Sequence, residues 1–222
     1  MRSKQLSENL NKVRASIKTY CSQKVTLIAV SKKFPVEDIN FLIDRGHLEF
    51  GENYIQEALE KIKKVKNNKV KWHYIGRIQS NKIGKIVDNF DWIHTLSNLN
   101  HAEKIQKNIE KSDKKINTLV QINIDDDPAK AGINIKNLEN FTSELKNFEN
   151  IILRGMMVIT AIQEKDEIIA SYKKAAETFN KIKNDNFNKL SMGMSSDYVE
   201  ALKLGSNMIR LGTTIFGSRN AR

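Results

Sequence analysis

The sequence predicts an α/β protein, a (β/α)₈ TIM barrel with an extra helix at its N-terminus. Short β-rich runs recur eight times along the chain, and amphipathic segments with apolar residues at three- and four-residue spacing separate them. A doubly wound open sheet is the structural alternative, but that fold usually places a glycine-rich phosphate turn after the first strand. Here the position reads Ser31-Lys32-Lys33-Phe34. The barrel is therefore favoured.

The elements follow from this periodicity. Apolar residues from Leu6 to Ile17 predict the additional N-terminal helix. Asn53 and Gln56 stand where an N-cap and the third helical residue would begin the helix after the second strand. The predicted strands are Val25–Val30, Leu48–Gly51, Lys71–Ile75, Trp92–Thr95, Thr118–Ile124, Leu153–Ile159, Lys189–Met192 and Met208–Leu211.

Composition predicts one soluble, cytoplasmic domain that spans residues 1–222. The single Cys21 excludes an internal disulfide and fits a reducing compartment. The N-terminus lacks the continuous apolar segment of a signal peptide. No apolar run is long enough to span a bilayer, so we expect no membrane association.

The net charge of +11 raises the possibility of nucleic-acid binding, because clustered lysines release counterions when they bind phosphates. The one dense lysine group lies between Lys61 and Lys71, mostly on the tail of a predicted helix. Elsewhere lysine alternates with glutamate and asparagine, as on a solvated helix face. The chain contains no recognised nucleic-acid module. We therefore expect solvated lysines and no nucleic-acid partner.

Lys32 is the leading candidate for a reactive side chain. It follows the first strand directly, where its stem is packed and its ammonium partly desolvated. Desolvation and the neighbouring Lys33 both favour the neutral amine, which can attack an aldehyde. The alternative is a lysine that ends a strand and extends to solvent.

The loops after the seventh and eighth strands support the first interpretation. They read Met192-Gly193-Met194-Ser195-Ser196-Asp197 and Arg210-Leu211-Gly212-Thr213-Thr214. Barrels often bind phosphate groups at these two loops, and glycine, hydroxyls and free backbone amides suit that ligand. Two ordinary capped loops are the alternative for either motif alone. Their combination with Lys32 favours a phosphate-bearing aldehyde.

Metal and triad chemistry find no support in the sequence. The four histidines, His47, His73, His94 and His101, show no metal-ligand spacing, and no nucleophile elbow is present. We expect no metal site, and we expect His73 to be a buried, hydrogen-bonded strand residue.

Motifs over residues 5 to 219 resemble, in order, those of the pyridoxal phosphate homeostasis protein family. The resemblance implies a fold type III barrel related to the N-terminal domain of alanine racemase. The matching stretches are Ala29-Val30-Ser31-Lys32, Phe50-Gly51-Glu52-Asn53-Tyr54-Ile55-Gln56-Glu57, Trp72-His73-Tyr74-Ile75-Gly76, Gln79-Ser80-Asn81-Lys82, Gln121-Ile122-Asn123, Lys130-Ala131-Gly132-Ile133, Arg154-Gly155-Met156-Met157, Ser191-Met192-Gly193-Met194-Ser195 and Arg210-Leu211-Gly212-Thr213-Thr214-Ile215-Phe216-Gly217.

The resemblance also implies roles for individual residues. Lys32 would hold pyridoxal 5′-phosphate as an internal aldimine, and Arg210 would face the pyridine nitrogen. Asn53 would lie near the ring, whereas Ser195, Gly212 and Thr213, with Met194 beside them, would bind the phosphate. Ala131 stands where the family commonly has serine, and Ser196 where it commonly has an acidic residue. Neither departure falls on the lysine or the arginine.

The implied function is a part in intracellular vitamin B6 homeostasis without established catalysis. The chain stops at Arg222, so we expect no second domain to supply the tyrosine base of a racemase. We expect a monomer, with pyridoxal-phosphate-dependent apoenzymes as possible recipients of the cofactor. Two alternatives stay open: a low-activity amino-acid racemase, and a basic nucleic-acid-binding barrel.

Overall fold

Parallel strands form the centre of the molecule. The computed structural model describes residues 1–110, 112, 114–161 and 164–218. Its strands are β1 Thr26–Val30, β2 Glu49–Glu52, β3 Lys71–Tyr74, β4 Trp92–Leu96, β5 Ile116–Asn123, β6 Ile133–Asn134, β7 Ile151–Ile159, β8 Lys189–Ser191 and β9 Met208–Leu211. Eight of them are neighbours in the order β4-β3-β2-β1-β9-β8-β7-β5, and the pairing of β4 with β5 closes the barrel. The predicted TIM barrel is confirmed.

Helices surround the barrel. They are α1 Arg2–Tyr20, α2 Val36–Ile43, α3 Ile55–Lys64, α4 Ile83–Asn89, α5 Leu99–Ile109, α6 Leu138–Leu145, α7 Lys165–Ile182, α8 Tyr198–Lys203 and α9 Thr213–Phe216, with 3₁₀ turns at Ser80–Lys82 and Ile135–Asn137. Helix α1 is the predicted additional helix, and it buries Leu6, Leu10 and Val13. Its Arg2 guanidinium donates to the carbonyl of Phe216, 2.6 Å away, and thereby joins the two ends of the described chain.

The structure corrects the sequence predictions in three places. The two-residue strand β6 was not predicted, because it is too short to show a periodicity. Helix α3 begins at Ile55 with Tyr54 as its N-cap, so the prediction that Asn53 caps it is wrong. Lys61 is buried instead of solvated, although Lys63 and Lys64 on the same helix are exposed.

Two apolar layers hold the barrel together. Inside it, Ile28, Leu119, Met157 and Met208 form one buried cluster. Between strands and helices, a larger cluster includes Phe50 and residues from the N-terminal helix. Each buried side chain of this size contributes roughly 1.5–3 kcal/mol. The barrel interior is thus packed with side chains, as is usual for the fold.

A chain of polar side chains also lies inside the barrel. His73 contacts His94 (Nδ1 to Nε2, 2.9 Å) and Glu49 (Nε2 to Oε2, 2.7 Å). The ring of His73 therefore bridges the carboxylate of Glu49 and the ring of His94 through its two nitrogens. Burial, and after it the neighbouring His73 and Arg210, lower the pKa of His94 well below its ordinary value. His73 is therefore the buried, hydrogen-bonded residue that the sequence predicts.

Two features are absent from the described part of the chain. There, no helix is both long and apolar enough to cross a membrane. Nor do its histidine, cysteine, aspartate and glutamate side chains group in threes that could hold a metal ion.

Candidate functional site

A cavity of about 430 Å³ opens at the carboxyl ends of the strands. Side chains there come from loops that follow different strands, as is usual for active and binding sites of this fold. All seven predicted site residues line it: Lys32, Asn53, Met194, Ser195, Arg210, Gly212 and Thr213. Val30, Ile75, Met157, Ile159 and Ser196 complete the wall. The barrel thus brings together Val30 and Thr213, which are 183 positions apart in the sequence.

Lys32 enters the cavity from a tight turn directly after β1. The N–H of Ser31 donates to the carbonyl of Gly51 at 3.0 Å and extends the pairing of β1 with β2. The N–H of Phe34 then donates back to the carbonyl of Ser31 at 3.0 Å. Lys32 is half-buried, between the apolar end of β1 and the open cavity. Its place matches the prediction of a lysine at the junction of strand and loop.

Asn53 lines the cavity, and it lies one residue before Tyr54, the N-cap of α3. Its Oδ1 atom is buried and has no hydrogen-bond partner among the described residues. Gly76 lies against the same loop, and a Cβ at that position would be only 2.0 Å from the carbonyl oxygen of Asn53. A glycine is needed for this close approach. Asn53 thus lines the cavity and keeps a buried amide oxygen without a partner among the described residues.

The loop after β8 is held by a buried aspartate. The carboxylate of Asp197 accepts the backbone N–H of Met194 at 2.6 Å and the hydroxyl of Tyr172 at 3.0 Å. Gly193 starts the loop with a φ of +98°, and a Cβ there would be 2.7 Å from the side chain of Ala201. Burial, and then the negative charge of Asp197, raise the pKa of Tyr172, so this tyrosine stays a hydrogen-bond donor.

The loop after β9 lies next to this one. The N–H of Thr214 donates to the hydroxyl of Ser195 at 3.3 Å, and the hydroxyl of Thr214 donates to the carbonyl of Ser195 at 3.4 Å. Gly212 precedes helix α9, which begins at Thr213. The first N–H groups of a helix have no partner inside the helix. Ser195 from the loop after β8, and Gly212 and Thr213 from the loop after β9, therefore line the same cavity.

Arg210 supplies a buried cation to the cavity. Its guanidinium donates to the hydroxyl of Ser191 at 2.7 Å and to the carbonyl of Val158 at 3.0 Å, so strands β7 and β8 both hold it in place. Burial lowers the pKa of Arg210, while Tyr172 and Asp197 raise it. Among the described residues these two bonds use two of its five N–H donors, and a guanidinium has no atom that accepts a hydrogen bond.

Sequence reasoning missed the apolar part of the wall. Met157 and Ile159 on β7 and Ile75 after β3 line the cavity. Met157 and Ile159 are two positions apart, so they share one face of their strand. The sequence does not distinguish the face of β7 that lines the cavity, because residues on both faces of this strand are apolar.

The fold and the cavity define a class of protein, the parallel barrel that alanine racemases contain. The family model described as alanine racemase, N-terminal domain, matches residues 2–220. Alanine racemase of Clostridium difficile has the same fold: a structure of its complex with cycloserine has a TM-score of 0.77 at 19% identity, over 97% of this chain and 60% of that one.

The chain belongs to this family and, within it, to the pyridoxal phosphate homeostasis proteins. It is 36% identical to the Haemophilus influenzae member, over 97% of this chain and 96% of the relative. It is also 36% identical to the Escherichia coli member, over 97% of both chains. PipY of Synechococcus elongatus has been solved with pyridoxal phosphate bound, and that structure has a TM-score of 0.84 at 32% identity, over 96% of this chain and 100% of that one.

Proposed function

We propose that this protein binds pyridoxal 5′-phosphate in the cavity and takes part in keeping its intracellular level, without catalysing a reaction. Lys32 is the residue that holds the cofactor, as an internal aldimine formed when its amine condenses with the aldehyde and water leaves. One observation carries the proposal. A half-buried lysine, a buried arginine and a set of hydroxyl and N–H donors line the same cavity.

The residues of the cavity fit this cofactor. Its volume of about 430 Å³ lies within the range of small-molecule sites. The buried Oδ1 atom of Asn53 has no partner in the described chain, and a buried unsatisfied oxygen costs stability until a ligand donates to it. The hydroxyl of Ser195 and the N–H groups of Gly212 and Thr213 suit a phosphate, because oxyanions accept such hydrogen bonds strongly. Met194, next to Ser195, lines the same cavity and is exposed.

Arg210 determines what chemistry the cofactor can support. Bound pyridoxal phosphate acts as an electron sink, and it does so best when its pyridine nitrogen is protonated. In our proposal the guanidinium of Arg210 faces that nitrogen. A guanidinium donates hydrogen bonds but cannot accept them, so the nitrogen that it faces is kept unprotonated. The cofactor is then a weak electron sink, which suits a carrier better than an enzyme.

The tyrosines of the described chain also favour a carrier. A racemase needs a second base on the opposite face of the cofactor. The hydroxyl of Tyr74 donates to the carbonyl of Arg77 at 2.9 Å, and that of Tyr198 to the hydroxyl of Ser16 at 3.3 Å. Tyr54 is exposed beside Asn53, outside the set of residues that lines the cavity. A sensitive assay for amino-acid racemisation by the purified protein tests this alternative, and sustained turnover would contradict our proposal.

Three further expectations belong to the proposal. A monomer is tested by light scattering at the concentrations used for binding. Transfer to apoenzymes is tested by mixing the loaded protein with a pyridoxal-phosphate-dependent apoenzyme and following recovery of its activity. A nucleic-acid partner predicts retention on DNA or RNA that falls steeply with salt and does not depend on the cofactor, and a protein that is not retained at low salt excludes it. The single cysteine agrees with a cytoplasmic protein.

A spectroscopic titration tests the proposed function. Adding pyridoxal phosphate to the wild type should produce the visible band of an internal aldimine, and Lys32→Ala should not produce it. Arg210→Glu should allow protonation of the ring nitrogen and shift the band. A wild type that stays colourless would refute the binding proposal. An unchanged spectrum in Arg210→Glu would refute the role of the arginine.

A further inference from the structure

The turn that carries Lys32 has an unfavourable backbone conformation. The hydrogen bond from the N–H of Phe34 to the carbonyl of Ser31 makes Lys32 and Lys33 its two central residues. Lys33 has a φ of +66°, as the third residue of a type II turn does. Glycine takes that conformation freely, whereas a residue with a Cβ takes it only when its surroundings hold it there. Something outside the turn must therefore stabilise it.

Lys61 on α3 supplies part of that support. Its side chain is 8% exposed, and its Nζ atom lies 2.7 Å from the carbonyl oxygen of Ser31. The same atom lies 2.8 Å from Oε1 of Glu52 and 2.6 Å from Oε1 of Glu57. A protonated lysine has three N–H donors, so these three acceptors satisfy it completely. Lys61 thus holds the peptide group that precedes Lys32.

Glu57 and Glu52 supply the rest. Glu57 accepts the backbone N–H of Lys33 at 2.5 Å, so it holds the peptide group that follows Lys32. Glu52 accepts the hydroxyl of Ser31 at 2.7 Å. The lysine clamp, by which we mean Lys61, Glu57 and Glu52, therefore contacts the backbone on both sides of Lys32. No member of the clamp is among the residues that line the cavity.

Stability alone does not account for the clamp. Replacing a buried ion pair with apolar residues is often neutral or stabilising, because desolvation of the charges offsets their attraction. In this clamp two carboxylates share one ammonium, and Oε2 of Glu52 is buried without a partner among the described residues. Burial raises the pKa of Glu52, which is a sign of the same cost. What the clamp does provide is a fixed direction for the backbone at Lys32.

We propose that the lysine clamp positions Lys32 for attack on the aldehyde of its ligand. This inference rests on the proposed function and adds the residues that make Lys32 effective. Reactions between bound groups depend steeply on orientation, and an amine displaced by about 1 Å reacts far more slowly. The clamp should therefore affect ligands that bond covalently to Lys32 and leave phosphate binding intact.

Two ligands separate positioning from general damage. Pyridoxal 5′-phosphate has an aldehyde, whereas pyridoxine 5′-phosphate has the same ring and phosphate with an alcohol in its place. In Glu57→Ala the covalent bond to Lys32 must order a turn that one charge-assisted hydrogen bond holds in the wild type, so we expect affinity for the aldehyde to fall about tenfold. Affinity for the alcohol should stay within about twofold of the wild type. Glu57→Gln keeps an acceptor oxygen and should restore most of the lost affinity.

Controls keep the experiment decisive. The side chain of Glu57 is 29% exposed, so its substitution leaves the core packed. Lys63→Met removes an exposed lysine from the same helix and should change neither affinity. Equal losses for both ligands in Glu57→Ala, or no loss for either, would overturn the clamp alone. A wild type that binds the aldehyde no more tightly than the alcohol would overturn the proposed function, and the clamp with it.

Discussion

Asn53→Ala should change stability and binding in opposite directions. In the protein without ligand, the buried Oδ1 atom of Asn53 has no partner in the described chain. Such an atom costs about 1–3 kcal/mol of desolvation. Asn53 is otherwise half-exposed, so truncation removes little packing. We expect the free energy of unfolding to rise by about 1 kcal/mol, which raises the melting temperature by about 2–4 °C for a chain of this length.

The same substitution should weaken cofactor binding. A ligand that donates to Oδ1 gains one hydrogen bond, worth about 1 kcal/mol, so affinity should fall about fivefold. Thermal unfolding with and without pyridoxal phosphate measures both effects. Asn98→Ala is the matched control, because the side chain of Asn98 accepts the N–H of Asn100 at 2.8 Å and caps α5. That variant should lose about 1 kcal/mol of stability. An Asn53→Ala protein that is less stable and binds normally would refute the reasoning.

Two further predictions concern the support of the site and the response to acid. Gly76→Ala should lower the free energy of unfolding by about 1–3 kcal/mol and weaken cofactor binding, because the new Cβ would be 2.0 Å from the carbonyl oxygen of Asn53. Gly46→Ala is the control: Gly46 has a positive φ but no atom within 4 Å of a new Cβ, so cofactor binding should stay intact in the same titration. Burial lowers the pKa of His47 from 6.5 to about 4, so between these values the unfolded chain binds more protons than the folded one. The contribution of His47 to the free energy of unfolding should therefore be complete above about pH 6.5 and fall by about 3 kcal/mol toward pH 4. Denaturant unfolding at several pH values should show that His47→Gln loses less stability in acid than the wild type. An equal loss in both proteins would contradict the assignment of this pH dependence to His47.

Sequence periodicity predicted most of the barrel because its strands are short apolar runs between long amphipathic helices. The site could be predicted for the same reason. Once the strands are counted, the fold itself brings the turn at Lys32 next to the loops around Ser195 and Gly212. The two-residue strand β6 carries no comparable signal.

Features that depend on contacts distant in sequence could not be predicted. Lys61 looks like one of several lysines on a helix tail, and only the packing of α3 against β1 and β2 shows that it is paired. Asn53 is a residue type that favours N-caps, but Tyr54 caps α3, and the backbone of Asn53 lies against Gly76 of a distant loop. Local propensity is a weak predictor of backbone conformation where tertiary contacts determine it.

Borohydride reduction tests the central claim most directly. Reduction of the protein loaded with pyridoxal phosphate, followed by digestion and mass spectrometry of the peptides, locates any lysine that forms a Schiff base with the cofactor. Our account predicts a stable adduct on Lys32, none on the neighbouring Lys33, and no adduct at this site in Lys32→Ala. A cofactor adduct spread over several surface lysines, with Lys32 unmodified, would contradict it.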